Sequence, residues 1–582
     1  MSRQRTRTKG HEDRKEKRSP LDLYDAAFRH FQSDRLGSAE DRCRRALALD
    51  PNHADSLHLL GLIHMQSGKF DTAIDVIAAA IKSNPNNAEY FSNFGTLLRR
   101  QNRFEEARKS YDLALKLAPN SARAWINLGD LLKAQGQFDE SLLTYDHALT
   151  LDSTNAEAAN KGGALLLERD RFEEALARFD RALSLSPDQA EFIHNRGSAL
   201  MGLGRNEEAL AHYDRAIALK PDVAESHGNR GLVLDGLFRM DEASESHRKS
   251  IALRPDYPNA HWNLAVNRLR VGDLKTGWVE AEWRWMTPKL PIKERNFERP
   301  LWLGAEPVRG KTILLHSEQG LGDALHFCRY VPLVAAMGAN VILEVQKELY
   351  ELLSGLAGVS KIVSRGETLP DFDLHCPLCS LPLAFDTVLD TIPSATPYIS
   401  VGNYTDAWKI RLASVKSPRV GLVWSGNSTQ SADRTRSMTL EALLPLLETK
   451  ASFISLQKDV RPADRAVLDQ QKKILDLGPE LKSFADTAAV VSQLDLVISV
   501  DTSVAHLAGS LGRPVWILLS YVPCWRYLLH RTDSPWYPTA RLFRQSEARD
   551  WRTVVHQVCT ELDSLIPSLP MAPNTAANRP VL

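Results

Sequence analysis

Cysteine is scarce. Six residues in 582, Cys43, Cys328, Cys376, Cys379, Cys524 and Cys559, are too few for a disulfide scaffold and fit a reducing cytosol. Net charge is missing, with 72 Lys+Arg against 72 Asp+Glu. A chain-wide electrostatic grip on nucleic acid is therefore not expected, although a local basic patch stays open. No apolar run approaches the roughly 18 residues of a membrane span. The first residues, MSRQRTRTKGHEDRKEKRSP, are charged, have no apolar core and do not read as a secretory signal. A cytoplasmic location is the expectation, with peripheral membrane contact as the alternative. P-loop, HExxH and GxSxG patterns are absent as well. His375 precedes Cys376-Pro-Leu-Cys379, but zinc needs about four ligands and no second pair exists. Asp371-Phe-Asp373 is a weak DxD pattern. No metal and no cofactor is expected.

The composition that is present is that of a globular chain, 43% apolar and 25% charged. At roughly 150 residues per domain the length suggests about four domain-equivalents. Charge is uneven in one place: residues 1–18 carry eight Lys/Arg and three Asp/Glu. That +5 tail reads as solvated and disordered, or as a docking arm for an anionic membrane face or nucleic acid. Residues 567–582 read as a second flexible tail.

The first half repeats. Pro51, Pro85, Pro119, Pro187, Pro221 and Pro255 fall on a 34-residue grid, with Ser153 filling the gap. Gly61, Gly95, Gly129, Gly163, Gly197 and Gly231 keep the same step. So do Phe70, Phe104, Phe138 and Phe172, and the alanines at 80, 114, 148, 182 and 216. Each unit holds two stretches with apolar residues at helical spacing, such as AWINLGDLLKAQG and FDESLLTYDHALTL. Gly and Ala mark where paired helices approach closely, and Pro opens the next unit. The pattern resembles the tetratricopeptide repeat, TPR. It extends over 19–288 as about eight units, the outer ones degenerate caps. Such an array exposes a concave face suited to extended peptides. Asn93, Asn127, Asn195, Asn229 and Asn263 recur in register, interrupted by Lys161. Their amides either hold a partner's backbone or bond only within the array. A protein or peptide partner is the expected occupant; spacer and oligomerisation roles are the alternatives.

The segment VEAEWRWMTPKLPIKERNFERPLWLGAEPVRGKT has four Trp/Phe anchors, several Pro and no helical period, and residues 289–310 read as a packed connector. Short β-branched runs then alternate with amphipathic stretches over 311–400, and again over 418–566 after a linker at 401–417. That alternation predicts two Rossmann-like halves, each a parallel sheet covered by helices, with ligands at the carboxyl ends of the strands.

Three segments there carry candidate chemistry. In HSEQGLGDALHF, Gly320 and Gly322 let a ligand approach the backbone at a helix start. Asp323 is a helix-terminal acid or a general base. In DLVISVDTSVAHLAGSLGRP, Asp501, Thr502 and Ser503 form an N-cap cluster that could hold a diphosphate, with His506 one turn on. In WSGNSTQSADRTRS, Asn427, Arg434 and Arg436 sit in a polar loop after a strand, where arginines clamp phosphates bidentately or are simply solvated. Lys458, closing ASFISLQK, is counted with the donor-binding set.

GLGDALHFCRYVP, WSGN with DRTRS, and FADTAAVVSQLDLVISVDTSVAHLAGSLGRPVWIL occur in order. In these segments the chain resembles glycosyltransferase family 9, the ADP-heptose:lipopolysaccharide heptosyltransferases. EWRW at 282–285 followed by PLW at 300–302 resembles the junction of the subgroup in which TPR repeats precede this domain. The resemblance covers under half the chain. It implies a GT-B-like domain without a required metal. Asp323 would be the acceptor base. Asp501, Thr502, Ser503 and His506 would contact the donor's diphosphate and sugar. Ser503 stands where the family has glycine, and Arg434 or Arg436 where it often has Lys. The expected architecture is thus an α-helical TPR solenoid followed by an α/β GT-B-like domain. The expected function is sugar transfer from a nucleotide-diphosphate donor to a protein or glycan, with the repeats recruiting the acceptor or a partner. The layout also resembles protein O-linked N-acetylglucosamine transferases. The alternative is a non-catalytic repeat scaffold with a sugar-nucleotide-binding domain. No nucleic-acid partner is expected.

Overall fold

A computed structural model describes residues 19–288, 290, 295–428, 433–547 and 550–565. The charged tail at 1–18 and the segment 567–582 lie outside the described residues. The chain forms two compact units, Met1–Pro221 and Asp222–Leu582.

The first unit is a run of helical hairpins from Pro20–Gln32 to Asn206–Leu219. A 13-residue helix such as Ala88–Arg100 alternates with a 14-residue helix such as Phe104–Leu117. Polar residues cap the shorter helices: Asn87 accepts from the Glu89 N–H at 3.0 Å, and Asn155 from the Ala158 N–H at 2.9 Å. The prolines do not open these helices. Pro85 and Pro119 sit in the preceding turn, three residues ahead of Ala88 and Ala122. Their rigid φ closes the hairpin junction, and the cap residue starts the helix. The glycine column makes room for a facing side chain, Ile77 at Gly61 and a ring further on: a Cβ at Gly95 would lie 2.9 Å from Tyr111 Cδ1.

The tight turn inside each hairpin needs a left-handed residue. Positive φ recurs at Asp34, Gly68, Asn102, Gly136, Asp170 and Gly204, all types that tolerate it. A Cβ at Gly136 would meet nothing within 4 Å, so its φ of +77° is the whole constraint. Gly136→Ala is therefore expected to destabilise this unit by about 1–2 kcal/mol. Denaturant unfolding measures it, and an unchanged midpoint would contradict this account of the turn.

The second unit begins with two more hairpins, Ala224–Gly236 with Met240–Leu253 and Pro258–Val271 with Leu274–Ala281. Two parallel sheets follow. The first contains β1 Thr312–His316, β2 Asn340–Val345, β3 Val359–Ser364 and β4 Leu374–Pro377, in the order β3-β2-β1-β4. The second contains β5 Arg419–Val423, β6 Ser452–Ser455, β7 Ile474–Asp476, β8 Leu496–Val500, β9 Val515–Leu519 and β10 Ala540–Arg544, in the order β10-β9-β8-β5-β6-β7. Strand burial explains the apolar runs: all five residues of β8 and of β9 are buried. In both sheets the strand order reverses beside the first strand, between β1 and β4 and between β5 and β8. Those reversals open the crevices in which doubly wound sheets bind ligands.

One apolar core runs from Leu269, Leu274 and Trp278 of the last hairpin into both sheets. Trp278 Nε1 donates to the Thr387 carbonyl at 2.9 Å, and Arg270 Nε to the Pro523 carbonyl at 3.2 Å. No helix among the described residues is long and apolar enough to cross a membrane.

Candidate functional site

The loop after β1 turns at Gly320 into the helix Leu321–Phe327. Asp323 closes that turn, its Oδ2 accepting from the Gly320 N–H at 2.9 Å. Its Oδ1 pairs with Arg526, which lies in the loop after β9 on the short helix Trp525–Tyr527. Asp323 is thus a helix-terminal acid that caps the turn, and its side chain remains 23% exposed.

After β8, Asp501 accepts from Tyr527 Oη at 2.7 Å, and His506 Nε2 lies 3.8 Å away. Thr502 pairs its hydroxyl with Ser499 Oγ at 2.9 Å, so the helix Ser503–Ser510 starts without a side-chain cap. Gly322 brings this helix start against the loop after β1. A Cβ there would lie 3.0 Å from His506 Cδ2 and 3.5 Å from Ser503 Cα. After β5, Arg436 donates from Nη1 to the Asp501 carbonyl at 3.1 Å. Gly426 permits this: a Cβ there would lie 2.8 Å from Arg436 Cζ. The structure therefore separates the two candidate arginines. Arg436 reaches the Asp501 loop, whereas Arg434 is exposed, as are Asn427 and Lys458. Asp433, between them and the strand, is buried and paired with Arg461.

His506 and His326 share one hydroxyl, with Tyr537 Oη 3.0 Å from Nδ1 of each ring. It has one proton, so it donates to one ring and accepts from the other. Burial, then the charges of nearby arginines, holds both histidines well below the ordinary value. Burial likewise lowers His316 on β1 to about 3. All three stay neutral in the fold while their unfolded counterparts protonate below about pH 6.5. The unfolded state then binds more protons, so stability is full above that value and falls as pH drops below it. Thermal unfolding of this unit should show Tm declining from about pH 7.5 to about pH 5.5. A flat or rising Tm would contradict neutral burial.

Several residues of the site were not singled out by sequence: Arg526, Tyr527, His326, Tyr537, Glu318 and Arg284. The first two lie in CWRY, three residues beyond the PVWILLS strand run, which was the available signal. Arg284, from EWRW, is 1% exposed and donates to Glu282 Oε1 at 2.5 Å, Ser380 Oγ at 2.6 Å and Glu318 Oε1 at 3.1 Å. Burial opposes its charge, but Glu282 and Glu318 outweigh that and keep it protonated. Glu318 stands two residues past β1, and burial raises its carboxyl despite Arg284. The Cys376 and Cys379 thiols are pushed well up by burial, and Asp373 Oδ2 accepts from the Thr312 N–H at 2.8 Å.

In the helical array, Asn93 Nδ2 lies 3.0 Å from His58 Nε2. Asn127 donates to Ser92 Oγ and Asn195 to Asn160 Oδ1, each at 2.9 Å. These bonds join consecutive hairpins. Asn229 and Asn263 are half-buried on Ala224–Gly236 and Pro258–Val271. A cavity of about 600 Å³ lined by Lys450, Lys472 and Lys473 lies at the amino ends of β6 and β7, the wrong end of the sheet for this chemistry.

These features define a class: a helical-repeat protein joined to a two-sheet α/β region whose switch-point loops carry charged groups. The comparisons agree. Residues 30–92 and 93–156 match tetratricopeptide repeat families, and 197–235 match the TPR repeat. Residues 453–520, from β6 through β9, match glycosyltransferase family 9 (heptosyltransferase). The chain thus carries segments that match tetratricopeptide repeats and, near its C-terminus, a segment that matches glycosyltransferase family 9. Protein FlbA of Caulobacter vibrioides is 26% identical over 322 residues, 50% of this chain and 53% of FlbA. The chain thus spans about half the length of that curated relative. Among solved structures, Pseudomonas aeruginosa PilF is 20% identical, covering 35% of this chain and 92% of its own, with a TM-score of 0.31. YrrB, described as a TPR protein with an unusual peptide-binding site, is 26% identical over 32% of this chain and 95% of its own, with a TM-score of 0.27.

Proposed function

We propose that the second unit transfers a sugar from a nucleotide-diphosphate donor to a protein or glycan acceptor. One observation carries this reading: the loops after β1, β5, β8 and β9 bring Asp323, Arg436, Asp501 and Arg526 together beside an uncapped helix start. The two sheets then act as the halves of a GT-B-like enzyme. Arg436 and the first turn of Ser503–Ser510 hold the diphosphate, with Ser503 and Thr502 beside it. Gly320 and Gly322 let the donor approach the backbone, and Asn427, Arg434 and Lys458 supply the outer contacts. His506, neutral, orients through Tyr537 and Asp501. Asp323 takes the acceptor's proton. The charge on the leaving group is met by arginines and backbone N–H groups, and no metal or cofactor is invoked. The reaction belongs in the cytoplasm, where such donors are made. The repeats recruit the acceptor or a partner, with Asn93, Asn127, Asn195, Asn229 and Asn263 offering amide oxygens to an extended peptide.

The Arg526 ion pair on Asp323 favours a second reading, in which the domain binds a sugar nucleotide without turnover. Turnover separates the two. Full-length protein is incubated with a panel of nucleotide-diphosphate sugars and native lysate, and nucleoside diphosphate release is followed. Donor-specific release with mass gain on an acceptor supports transfer; donor binding without release from any of them sinks it. Deleting 1–221 tests recruitment, and an unchanged acceptor range and rate would contradict it.

A further inference from the structure

Arg526 is nearly buried, with its side chain 10% exposed. Its guanidinium carbon lies 4.4 Å from the Trp525 ring centroid and 5.5 Å from that of Phe327. Nη2 pairs with Asp323, Nη1 donates to Cys524 Sγ at 3.2 Å, and buried Nε has no partner. Its two carboxylate neighbours come from different sheets, Asp323 after β1 and Asp501 after β8. A rigid, always-charged fork with an unused buried N–H therefore stands at both strand-order reversals at once.

A carboxylate oxygen engaged by a guanidinium N–H is not open to an acceptor hydroxyl, and Asp323 Oδ1 is so engaged by Arg526. Resting on the transfer reading above, we propose that Arg526 is a binding cation for the donor's diphosphate, and that Asp323 and the diphosphate compete for it. The diphosphate draws Arg526 away, and Asp323 Oδ1 is open to the acceptor hydroxyl only when a donor is in place. The acceptor hydroxyl oxygen then forms its bond to the anomeric carbon. The bond from that carbon to the diphosphate oxygen breaks, with its electron pair leaving on the diphosphate. The acceptor's proton passes to Asp323, and Arg526 N–H groups donate to the departing oxygens.

The test is the affinity of the full chain for inorganic pyrophosphate, measured by calorimetry in wild type, Asp323→Asn and Arg526→Met. Asn keeps the cap on Gly320 but releases Arg526. Competition predicts that Asp323→Asn binds pyrophosphate roughly tenfold more tightly than wild type. Arg526→Met is expected to bind roughly tenfold more weakly, as befits a lost charged hydrogen bond. A purely structural Arg526–Asp323 pair would not tighten binding when broken. If Arg526→Met does not fold, Asp323→Asn alone decides: tighter binding supports the proposal, and equal or weaker binding overturns it. Absence of donor turnover in wild type would sink the transfer reading and leave this competition standing. Turnover with no tightening in Asp323→Asn would sink the competition alone.

Discussion

Asp323→Asn is expected to slow sugar transfer by roughly 10²–10⁴-fold, the usual contribution of a positioned general base. The side chain is well placed for that role. It is fixed by the Gly320 N–H at 2.9 Å and keeps a quarter of its surface open. Asn preserves that bond through its amide oxygen but cannot accept the acceptor's proton. Some stability is lost too, because Arg526 keeps its charge in a nearly buried position. Kinetics are therefore measured well below the unfolding temperature of the variant. The expected signature is a fall in kcat with donor affinity no weaker than in wild type. A variant that turns over at the wild-type rate would remove Asp323 from the chemistry.

The second large effect is on stability. Arg284→Met is expected to cost about 3–5 kcal/mol, since removing one partner of a buried ionic cluster leaves the others uncompensated. Arg284 joins Glu282 of its own short helix to Glu318 beside β1 and to Ser380. It therefore ties the end of the helical hairpins to the loop that leads to Asp323. Adding Glu282→Gln and Glu318→Gln to Arg284→Met should recover part of the loss, because the stranded carboxylates are then neutral. Thermal unfolding of the three proteins decides. A single variant within about 0.5 kcal/mol of wild type, the range of ordinary surface changes, would contradict the cluster's role.

The helical array was legible because its constraints recur. Each turn needs a left-handed residue and each hairpin a small one, so Gly, Asn and Asp reappear on a fixed step through Gly204, with Phe238 the exception at the next turn. Strands were legible from their apolar runs, which full burial on both faces produces. What local pattern does not encode is which loops meet. Arg526 and Asp323 are 203 residues apart, and nothing periodic links them. Arg434 and Arg436 look alike in sequence, and only the backbone space at Gly426 distinguishes the one that reaches Asp501. The repeat prolines open each unit from the turn before its first helix, where their fixed φ also fits. Arg284 hid in an aromatic-rich junction, because hydrophobic periodicity is blind to a buried charge. The compact units divide at Pro221, inside the periodic region, because Trp278 and Arg270 of the last hairpin bury themselves against the α/β part.

The most direct test of the central claim is the structure of the full chain bound to a nucleotide-diphosphate sugar that it turns over. The account predicts the diphosphate at the first turn of Ser503–Ser510, within hydrogen-bond reach of Arg436 and Arg526, with the anomeric carbon facing Asp323. A donor bound elsewhere, such as the lysine-lined cavity at the amino ends of β6 and β7, would contradict it.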